Sequence, residues 1–317
     1  MNRRKTLTNI LSLMLLTSCG LVIASCNGGS NASASPTIAI PRVYVTNYGE
    51  SSIWTYTVGN NGELTYSEST PTTAAPVGIA FDIAGAYVYV LNVTVSVNDR
   101  GGTVYSSNIL TYAVKNGVLA YVESTPTTVG SFLSGIALDS SATHAYVTNR
   151  TGSSIFTYAI NNGVLSYVES TPAGQLPYNI TLDPSGRYAY VANTGVNSIW
   201  TYSLNNGVLT YIESAATGAA PIVLTLNSAG TSAYVVNQTA KSIWTYTVNN
   251  GAFTYVESTP IGSGGRGITL DLTGTHAYVT SNIANSIWTY TVNNGTLTYA
   301  ESTLAGRATN SIAFVLN

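Results

Sequence analysis

The acidic residues are the first candidates for acid–base chemistry, and most of them recur at fixed positions of a repeated segment. Of the 13 Asp and Glu residues, six glutamates share one repeat position and four aspartates share another. A residue that returns in each repeat is best explained by the construction of the repeat. Only Glu50, Glu63 and Asp99 remain, and one such carboxylate beside Arg266 would suffice for acid–base catalysis. The repeated acids are Glu68, Glu123, Glu169, Glu213, Glu257 and Glu301, together with Asp82, Asp139, Asp183 and Asp271.

Both histidines also fall on a repeat position, and the familiar catalytic motifs are absent. His144 and His276 each precede Ala-Tyr-Val, so we interpret them as structural. The sequence contains no Gly-x-Ser-x-Gly, His-Glu-x-x-His, Cys-x-x-Cys or phosphate-binding loop. A calcium site around Asp99 would have one carboxylate where several oxygen ligands are needed. We therefore assign no catalytic residue and predict neither a metal nor a cofactor.

The elements that must position these residues are short strands in six repeats. Ser-Ile-Trp-Thr-Tyr, or a close variant, is centred on positions 54, 110, 156, 200, 244 and 288, at spacings of 56, 46, 44, 44 and 44 residues. Each repeat holds four β segments, such as 233–237, 242–248, 252–258 and 267–271, separated by Asn-Gly and Asp-x-x-Gly turns. A period in the forties built from four strands indicates propeller blades. We predict an all-β fold, a β-propeller of six four-stranded blades, with seven blades as the alternative.

The order of the strands predicts how the ring closes. The first strand of the domain, 42–45, corresponds to the second strand of a blade, and the last strand, 311–314, corresponds to a first strand. If the two lie side by side, the N- and C-terminal strands share one blade and their hydrogen bonds close the ring. The predicted propeller domain is residues 42–317.

The connections between strands fall on two ends of the ring. Short turns share one end, whereas the longer connections share the other end, which we call the mouth, and ligands of such folds usually meet the longer loops. The second repeat is 12 residues longer than the standard 44, and the excess falls in its mouth connection, 93–107. This insertion either leans over the channel or is a tolerated surface extension. The residues that precede the innermost strands are Val77, Ser134, Tyr178, Ile222, Arg266 and Asn310.

Charged and aromatic residues at the mouth are the predicted binding residues. Amphipathic rings of this kind suit a sugar or a peptide. The alternative for Tyr178 is that it only packs between Pro177 and the next blade. The candidates are Tyr48, Asp99, Arg100, Tyr105, Phe132, Tyr178 and Arg266.

Charge is scarce along the whole chain. Charged residues make up 8% of the 317 residues, against about 25% in ordinary soluble domains. The formal net charge is −2 and no Lys/Arg cluster follows residue 5, so a nucleic-acid partner is not expected. With 45% hydrophobic residues there is ample material for a core, and we expect a monomer.

Residues 1–25 are predicted to be a signal peptide. A basic segment, 2–5, precedes the apolar stretch 7–16, which is typical of a secretory leader. Leu-Thr-Ser-Cys ending at Cys19 and Ile-Ala-Ser-Cys ending at Cys26 both resemble the lipobox of bacterial lipoproteins. We favour Cys26, because the apolar run continues past Cys19; Cys19 and an unlipidated leader are the alternatives.

The lipobox resemblance implies diacylation and hence stable membrane attachment. Residues 26–41 would then be a flexible tether, and the protein would be secreted across the inner membrane and lipid-anchored at the outer membrane or the cell surface. Attachment by charge is disfavoured, because the chain after residue 25 keeps eight basic against 13 acidic residues.

The strand sequences themselves resemble a known family. Tyr-Val-Thr-Asn at 44–47 and 146–149, and Tyr-Val-Ala-Asn at 190–193, resemble YVTN-type β-propeller repeats, which are similar to the lactonase-like propellers. That resemblance implies a propeller, commonly of seven blades, and in some members the hydrolysis of sugar lactones. The residues themselves favour a membrane-anchored binding, interaction or structural module whose mouth contacts an unidentified glycan, peptide or protein. The alternative is a lactonase-like hydrolase of a small sugar lactone acting at the mouth.

Overall fold

In a computed structural model, residues 41–59, 61–82, 85–127 and 131–316 are described. They form six four-stranded antiparallel sheets that are the blades of a six-bladed β-propeller. The predicted fold is therefore confirmed, and the seven-bladed alternative is wrong. The predicted signal peptide, residues 26–40 of the tether, and both Cys19 and Cys26 lie outside the described residues.

The strands of each blade follow one another in the chain, except in the blade that closes the ring. Blade 1 consists of β1 (Pro41–Asn47), β2 (Ser52–Val58), β3 (Leu64–Pro71) and β24 (Thr309–Leu316). Blade 2 consists of β4 (Ala75–Phe81), β5 (Tyr87–Val97), β6 (Thr103–Lys115) and β7 (Val118–Pro126). Blade 3 consists of β8 (Leu133–Leu138), β9 (His144–Asn149), β10 (Ser154–Asn161) and β11 (Val164–Pro172).

The remaining blades repeat this order. Blade 4 consists of β12 (Pro177–Leu182), β13 (Tyr188–Asn193), β14 (Ser198–Asn205) and β15 (Val208–Ala216). Blade 5 consists of β16 (Pro221–Leu226), β17 (Ser232–Asn237), β18 (Ser242–Asn249) and β19 (Ala252–Pro260). Blade 6 consists of β20 (Gly265–Leu270), β21 (His276–Ser281), β22 (Ser286–Asn293) and β23 (Thr296–Leu304). The single 3-10 turn of the described residues is Tyr48–Glu50, and none of them forms a helix with the length and hydropathy to cross a membrane.

The ring closes as predicted. Strand β24 pairs with β1 in antiparallel register, with Val315 opposite Arg42 and Ala313 opposite Tyr44. The innermost strands β4, β8, β12, β16, β20 and β24 contact one another in circular order, and β24 contacts β4. One strand from the end of the chain therefore completes both blade 1 and the inner ring.

The hydrophobic core lies between the blades rather than within one layer. Strand β2 alternates Ile53 and Thr55 on one face with Trp54 and Tyr56 on the other, and adjacent blades cover both faces. In the junction of blades 1 and 2, for example, Tyr44 and Ile53 pack with residues of β4 and β5. Each junction buries such a cluster, which is why both faces of the central strands are apolar or small.

The turns away from the mouth have the predicted chemistry with one exception. In five blades the Asn-Gly pair has positive φ at both residues, as at Asn206 (47°) and Gly207 (86°), which is the type I′ geometry. In blade 1 the connection is longer, because β2 ends at Val58 and β3 begins at Leu64. There the main-chain N–H of Gly62 donates to the carbonyl oxygen of Gly59, at 2.9 Å.

The insertion in the second repeat is not a loop, contrary to our prediction. Strands β5 and β6 continue pairing from Val93 opposite Ser107 to Val97 opposite Thr103, so the excess residues form an extended hairpin. Only residues 98–102 make a turn, in which Asn98 Oδ1 accepts from the main-chain N–H of Gly102 at 2.8 Å. Alternating side chains and a polar tip were sufficient to continue the ladder.

Candidate functional site

Each innermost strand begins with a β-bulge at its mouth end. In all six, the register skips at the residue that the sequence placed before the strand. A bulge inserts an unpaired residue and redirects its side chain, so these six positions form a ring of side chains at the mouth. The skipped residues are Val77, Ser134 with Gly135, Tyr178, Ile222, Arg266 with Gly267, and Asn310.

The main chain at Tyr178 is held in place by the neighbouring blade. Ser134 Oγ donates to the carbonyl oxygen of Pro177 at 3.1 Å, and Thr148 Oγ1 donates to that of Tyr178 at 3.0 Å. A Cβ on Gly135 would lie 2.6 Å from the Cα of Asn179, so only glycine allows this approach of β8 to β12. Tyr178 therefore projects from a backbone that blade 3 holds in place.

Arg266 reaches Tyr178 across blade 5, which lies between their two blades. Arg266 Nη1 donates to the Tyr178 hydroxyl at 2.7 Å, and its guanidinium carbon lies 5.8 Å from the centre of the Tyr178 ring. When the Gln238 amide is oriented to satisfy both groups, its oxygen accepts from Arg266 Nε at 3.1 Å and from Nη2 at 3.3 Å. All three nitrogens of the guanidinium thus have neutral partners.

A second arginine lies against the same ring. The guanidinium carbon of Arg150 is 5.4 Å from the centre of the Tyr178 ring and 5.7 Å from that of Phe132. Its Nε is buried without a hydrogen-bond partner. The main-chain N–H of Arg150 donates to the carbonyl oxygen of Phe132 at 2.8 Å, which fixes where the side chain starts.

The extended hairpin adds an aromatic wall to this group. Tyr105 on β6 meets Phe132 edge to face, with ring centres 5.0 Å apart. Three of the predicted candidates, Tyr105, Phe132 and Tyr178, are therefore linked through Arg150, and Arg266 joins through Tyr178. We call Tyr105, Phe132, Arg150, Tyr178 and Arg266 the mouth cluster.

The ionised groups of the mouth cluster are all positive. In the described part of the chain the only ion pairs are His144 with Asp139 and His276 with Asp271, so Arg150 and Arg266 have no carboxylate partner. Two permanent positive charges around one ring repel each other and favour an anion. Neutral hydrogen bonds and aromatic faces orient both guanidinium groups without cancelling their charge. The cluster can therefore bind an anionic group or polarise a carbonyl oxygen.

The other candidates lie elsewhere on the mouth side. Asp99 and Arg100 are exposed at the hairpin tip, where the main-chain N–H of Arg100 donates to Asn98 Oδ1 at 3.0 Å. Tyr48 is 39% exposed in the 3-10 turn of blade 1.

Of the carboxylates proposed for acid–base work, Glu50 faces a different partner. Its Oε1 accepts from the main-chain N–H of Arg307 at 3.1 Å. In the residues described, no group of three or more His, Cys, Asp or Glu side chains is placed to hold a metal ion.

Arg150 and Gln238 were not among the predicted site residues, although both occupy one repeat position. Each directly follows the asparagine that ends the second strand of its blade, Asn149 or Asn237. Most residues at this position donate their main-chain N–H to the connection before the innermost strand, so they form a second ring at the mouth. Comparing this position across the repeats would have found them. Its six residues are Tyr48, Val93, Arg150, Thr194, Gln238 and Asn282.

Fold and site together define a six-bladed propeller with an arginine–tyrosine cluster at its mouth. A sequence model of the family described as lactonase, 7-bladed β-propeller, matches residues 105–206 and 179–260. These overlapping matches cover most of β6, all of β7 and blades 3 to 5, and they include Arg150 and Tyr178. The family description gives one blade more than the structure has. No curated protein matches the chain.

Solved structures with the same fold cover nearly the whole propeller. A candidate 6-phosphogluconolactonase from Bacteroides uniformis has a TM-score of 0.67 at 15% identity, over 88% of this chain and 100% of that chain. The periplasmic gluconolactonase of Pseudomonas aeruginosa has a TM-score of 0.64 at 15% identity, over 87% and 99%. A chain of a nidogen/laminin complex scores 0.64 at 14% identity, over 87% and 98%. At these identities the likeness concerns the fold.

Proposed function

We propose that the mouth binds a small sugar-derived lactone carrying an anionic group and hydrolyses it. The observation that carries this proposal is the pair of guanidinium groups, Arg150 and Arg266, which lie against Tyr178 and have no carboxylate partner among the described residues. The match to the lactonase family model supports it, because the match includes Arg150 and Tyr178. Two of the structures with this fold are described as a candidate 6-phosphogluconolactonase and a gluconolactonase.

The chemistry asked of the cluster is electrostatic. Water adds to the lactone carbonyl, the ring C–O bond breaks, the ring oxygen takes up a proton, and the product is a hydroxy acid that ionises to its carboxylate. One guanidinium would hold the anionic group of the substrate, while the other would stabilise the oxyanion that develops on the carbonyl oxygen. The hydroxyl of Tyr178, which accepts a hydrogen bond from Arg266, would lie beside that carbonyl.

Binding without turnover is the second candidate. Within the described residues, the mouth cluster brings no carboxylate or imidazole to the arginines that could act as a general base. The same fold also occurs in a chain of a nidogen/laminin complex. Export and lipidation at Cys26 stay predictions of the sequence.

Lactone hydrolysis in the full-length protein tests the proposal directly. The assay follows acid release in a pH-stat with glucono-1,5-lactone and its 6-phosphate, each corrected for spontaneous opening. We expect faster opening of the phosphorylated lactone, and Arg266→Ala should lower its kcat/KM by about ten- to hundred-fold, because a lost charged hydrogen bond costs about 1.5–3 kcal/mol. Arg150→Ala should have an effect of similar size.

The matched control is Arg307→Ala, since Arg307 is an exposed arginine of the same mouth side and lies outside the mouth cluster. It should leave the rates unchanged. Suppose that neither lactone opens faster than in buffer, but the protein binds the lactone 6-phosphate and loses that binding in the Arg150→Ala and Arg266→Ala variants. The second candidate, binding without turnover, is then correct. If neither lactone is bound or opened, the proposed function is wrong.

A further inference from the structure

The outer rim of the propeller carries six equivalent exposed tyrosines. Each lies on the outermost strand of its blade, and its side chain is between 48% and 58% exposed. Exposure of one large aromatic is ordinary, but the same ring at the same place on six blades forms a regular belt. The six are Tyr66, Tyr121, Tyr167, Tyr211, Tyr255 and Tyr299.

Each ring of the belt is backed by aromatic residues of the neighbouring strand. Trp244 lies 4.8 Å and Tyr246 6.0 Å from the ring centre of Tyr255, both in edge-on orientation. Trp200 and Tyr211 of blade 4 have ring centres 4.8 Å apart. One side of each tyrosine is thus packed while the rest faces solvent, so the ring is a rigid platform with little entropy to lose on binding.

A cleft runs beside one of these platforms, between blades 4 and 5. The cleft between blades 4 and 5 has a volume of about 290 Å³, close to the lower end of the range of small-molecule sites. Thr201 and Glu213 of blade 4 line one side, and Tyr246 and Tyr255 of blade 5 line the other. The threonine, the glutamate and both tyrosines have counterparts in the strand sequences of all the other blades.

The glutamate of the outermost strand supplies a hydrogen-bond acceptor beside the tyrosine. In the cleft between blades 4 and 5, Thr201 Oγ1 already donates to the carbonyl oxygen of Gly251 at 3.1 Å, whereas the Glu213 side chain is exposed. An ionised carboxylate accepts hydrogen bonds strongly, so a ligand with hydroxyl groups would find an acceptor there.

The rim does not suit a pairing β-strand. Each outermost strand has a bulge one residue after its tyrosine, as between Tyr255 and Glu257, and a glutamate follows. Bulges and charges on an edge strand discourage pairing with another chain. A second copy of this protein adding its edge strand is therefore not the occupant that this rim favours.

We propose that the rim is a multivalent site for neutral carbohydrate, with one sugar unit beside each of the six exposed tyrosines. The apolar C–H face of a sugar ring would stack on the tyrosine, while its hydroxyl groups would donate to the glutamate carboxylate. No basic residue lines the cleft of blades 4 and 5, so an anionic ligand would find no partner there. This inference is independent of the lactone site at the mouth.

Six weak sites on one rim bind a polysaccharide far more tightly than one. Linked sites raise apparent affinity by about 10²- to 10⁴-fold without new contacts. The test uses the full-length protein on immobilised neutral gluco-, manno- and galacto-oligosaccharides, with uronate and phosphorylated sugars and a trimethylammonium resin as further surfaces. We expect binding to at least one neutral oligosaccharide, and a loss of about 100-fold or more when all six tyrosines are changed to alanine.

Two matched variants make the result decisive. The six-fold Tyr→Phe variant keeps the rings and should keep most of the binding, whereas Arg266→Ala, which alters the mouth, should leave it unchanged. If the six-fold alanine variant fails to fold, Tyr255→Ala alone is measured by titration with the free oligosaccharide, and it should lower the number of sites per chain. Absence of neutral-sugar binding, binding that survives loss of the tyrosines, or tyrosine-dependent binding to the cationic resin alone would each overturn the proposal.

Discussion

The aspartate of a short turn stabilises that turn through several hydrogen bonds. Asp139 accepts from the main-chain N–H of Thr143 at 2.8 Å and its Oδ2 lies 2.9 Å from His144 Nδ1. Burial alone would raise the pKa of Asp139, but the hydrogen bonds from His144 and Thr143 outweigh burial and hold this pKa below its ordinary value. Asp271 makes the same contacts with His276 and Thr275, and its pKa is lowered likewise. Both histidines therefore have a structural partner, as their repeat position predicted.

Asp139→Asn should make the free energy of unfolding less dependent on pH in the acidic range. A lowered pKa means that the carboxylate contributes stability fully above its ordinary value of 3.8, and loses that contribution as the pH falls through the lowered value. The variant should lose about 1 kcal/mol of unfolding free energy at pH 7 and fall less steeply between pH 5 and pH 3. Urea unfolding across this range measures both effects.

The chain contains a natural control for that substitution. Asn227 of blade 5 holds the equivalent turn with its Oδ1, which accepts from the main-chain N–H groups of Thr231 and Ser232 at 2.8 and 3.0 Å. An amide can therefore replace the main-chain contacts but not the charge. A variant whose stability keeps the wild-type slope below pH 5 would contradict the role assigned to Asp139.

Part of the mouth cluster was predictable from single residues and part was not. Tyr178 and Arg266 departed from the repeat at a position where other blades have Val77, Ile222 or Asn310, and this departure marked them. Arg150 directly follows strand β9 in the sequence. Its place at the mouth therefore depends on the turn that the chain makes after that strand. The contact of Arg266 with Tyr178 spans a whole blade, and no local pattern encodes that distance.

At the level of elements, the extended hairpin has a base that packs in the mouth cluster and a tip that is exposed, a division that the sequence did not reveal. Its base carries Tyr105, which packs on Phe132, while its tip carries the exposed Asp99 and Arg100. A long insertion reads as a loop when its residues are polar, yet here the pairing of β5 with β6 continues to Val97. Strand repeats were easier to predict, because Asn-Gly turns limit the ends of each strand.

Shortening the hairpin should leave ligand binding at the mouth intact, whereas removing its aromatic base should not. Replacing residues 97–103 by Asn-Gly keeps Tyr105 and should change affinity for 6-phosphogluconate by no more than about two-fold, because that aromatic pair is kept. Tyr105→Ala should weaken it about two- to ten-fold, the value of one lost aromatic pair. Calorimetric titration of the two variants measures both. A large loss on removing the tip alone would show that Asp99 or Arg100 contacts the ligand.

The bulges are the elements that sequence patterns do not reveal. One residue is skipped in each outermost strand, as at Val168 between Tyr167 and Glu169, and one or two are skipped in each innermost strand. One extra residue shifts the alternation, so that the residues after the bulge are predicted to point to the wrong face of the sheet. Only tertiary packing decides which residue leaves the ladder.

For the whole molecule, the decisive feature is the strand contributed by the end of the chain. Deleting residues 309–317 removes β24 from blade 1 and leaves a gap between β20 and β4 in the inner ring. We expect this truncation to cost more than about 5 kcal/mol, the lower end of ordinary domain stability, so that most of the protein unfolds at 25 °C. Circular dichroism during thermal unfolding measures the loss.

A circular permutant is the control for that truncation. Pro41 is paired with Leu316, so a short linker can join these ends, and a new start at Ala75 keeps all the strands of the ring. The permutant should fold with nearly the original stability. A truncated chain that unfolds as cooperatively as the intact one would mean that β24 does not close the ring.

The position of β1 has a mechanical consequence. Because β1 is hydrogen-bonded on one side to β24 and on the other to β2, tension entering the propeller at Pro41 is shared by two ladders that must rupture together. A chain end on an outermost strand would peel away one bond at a time. Force applied at residue 41 therefore loads a strand that is paired on both sides, and the first step of unfolding requires both ladders to break.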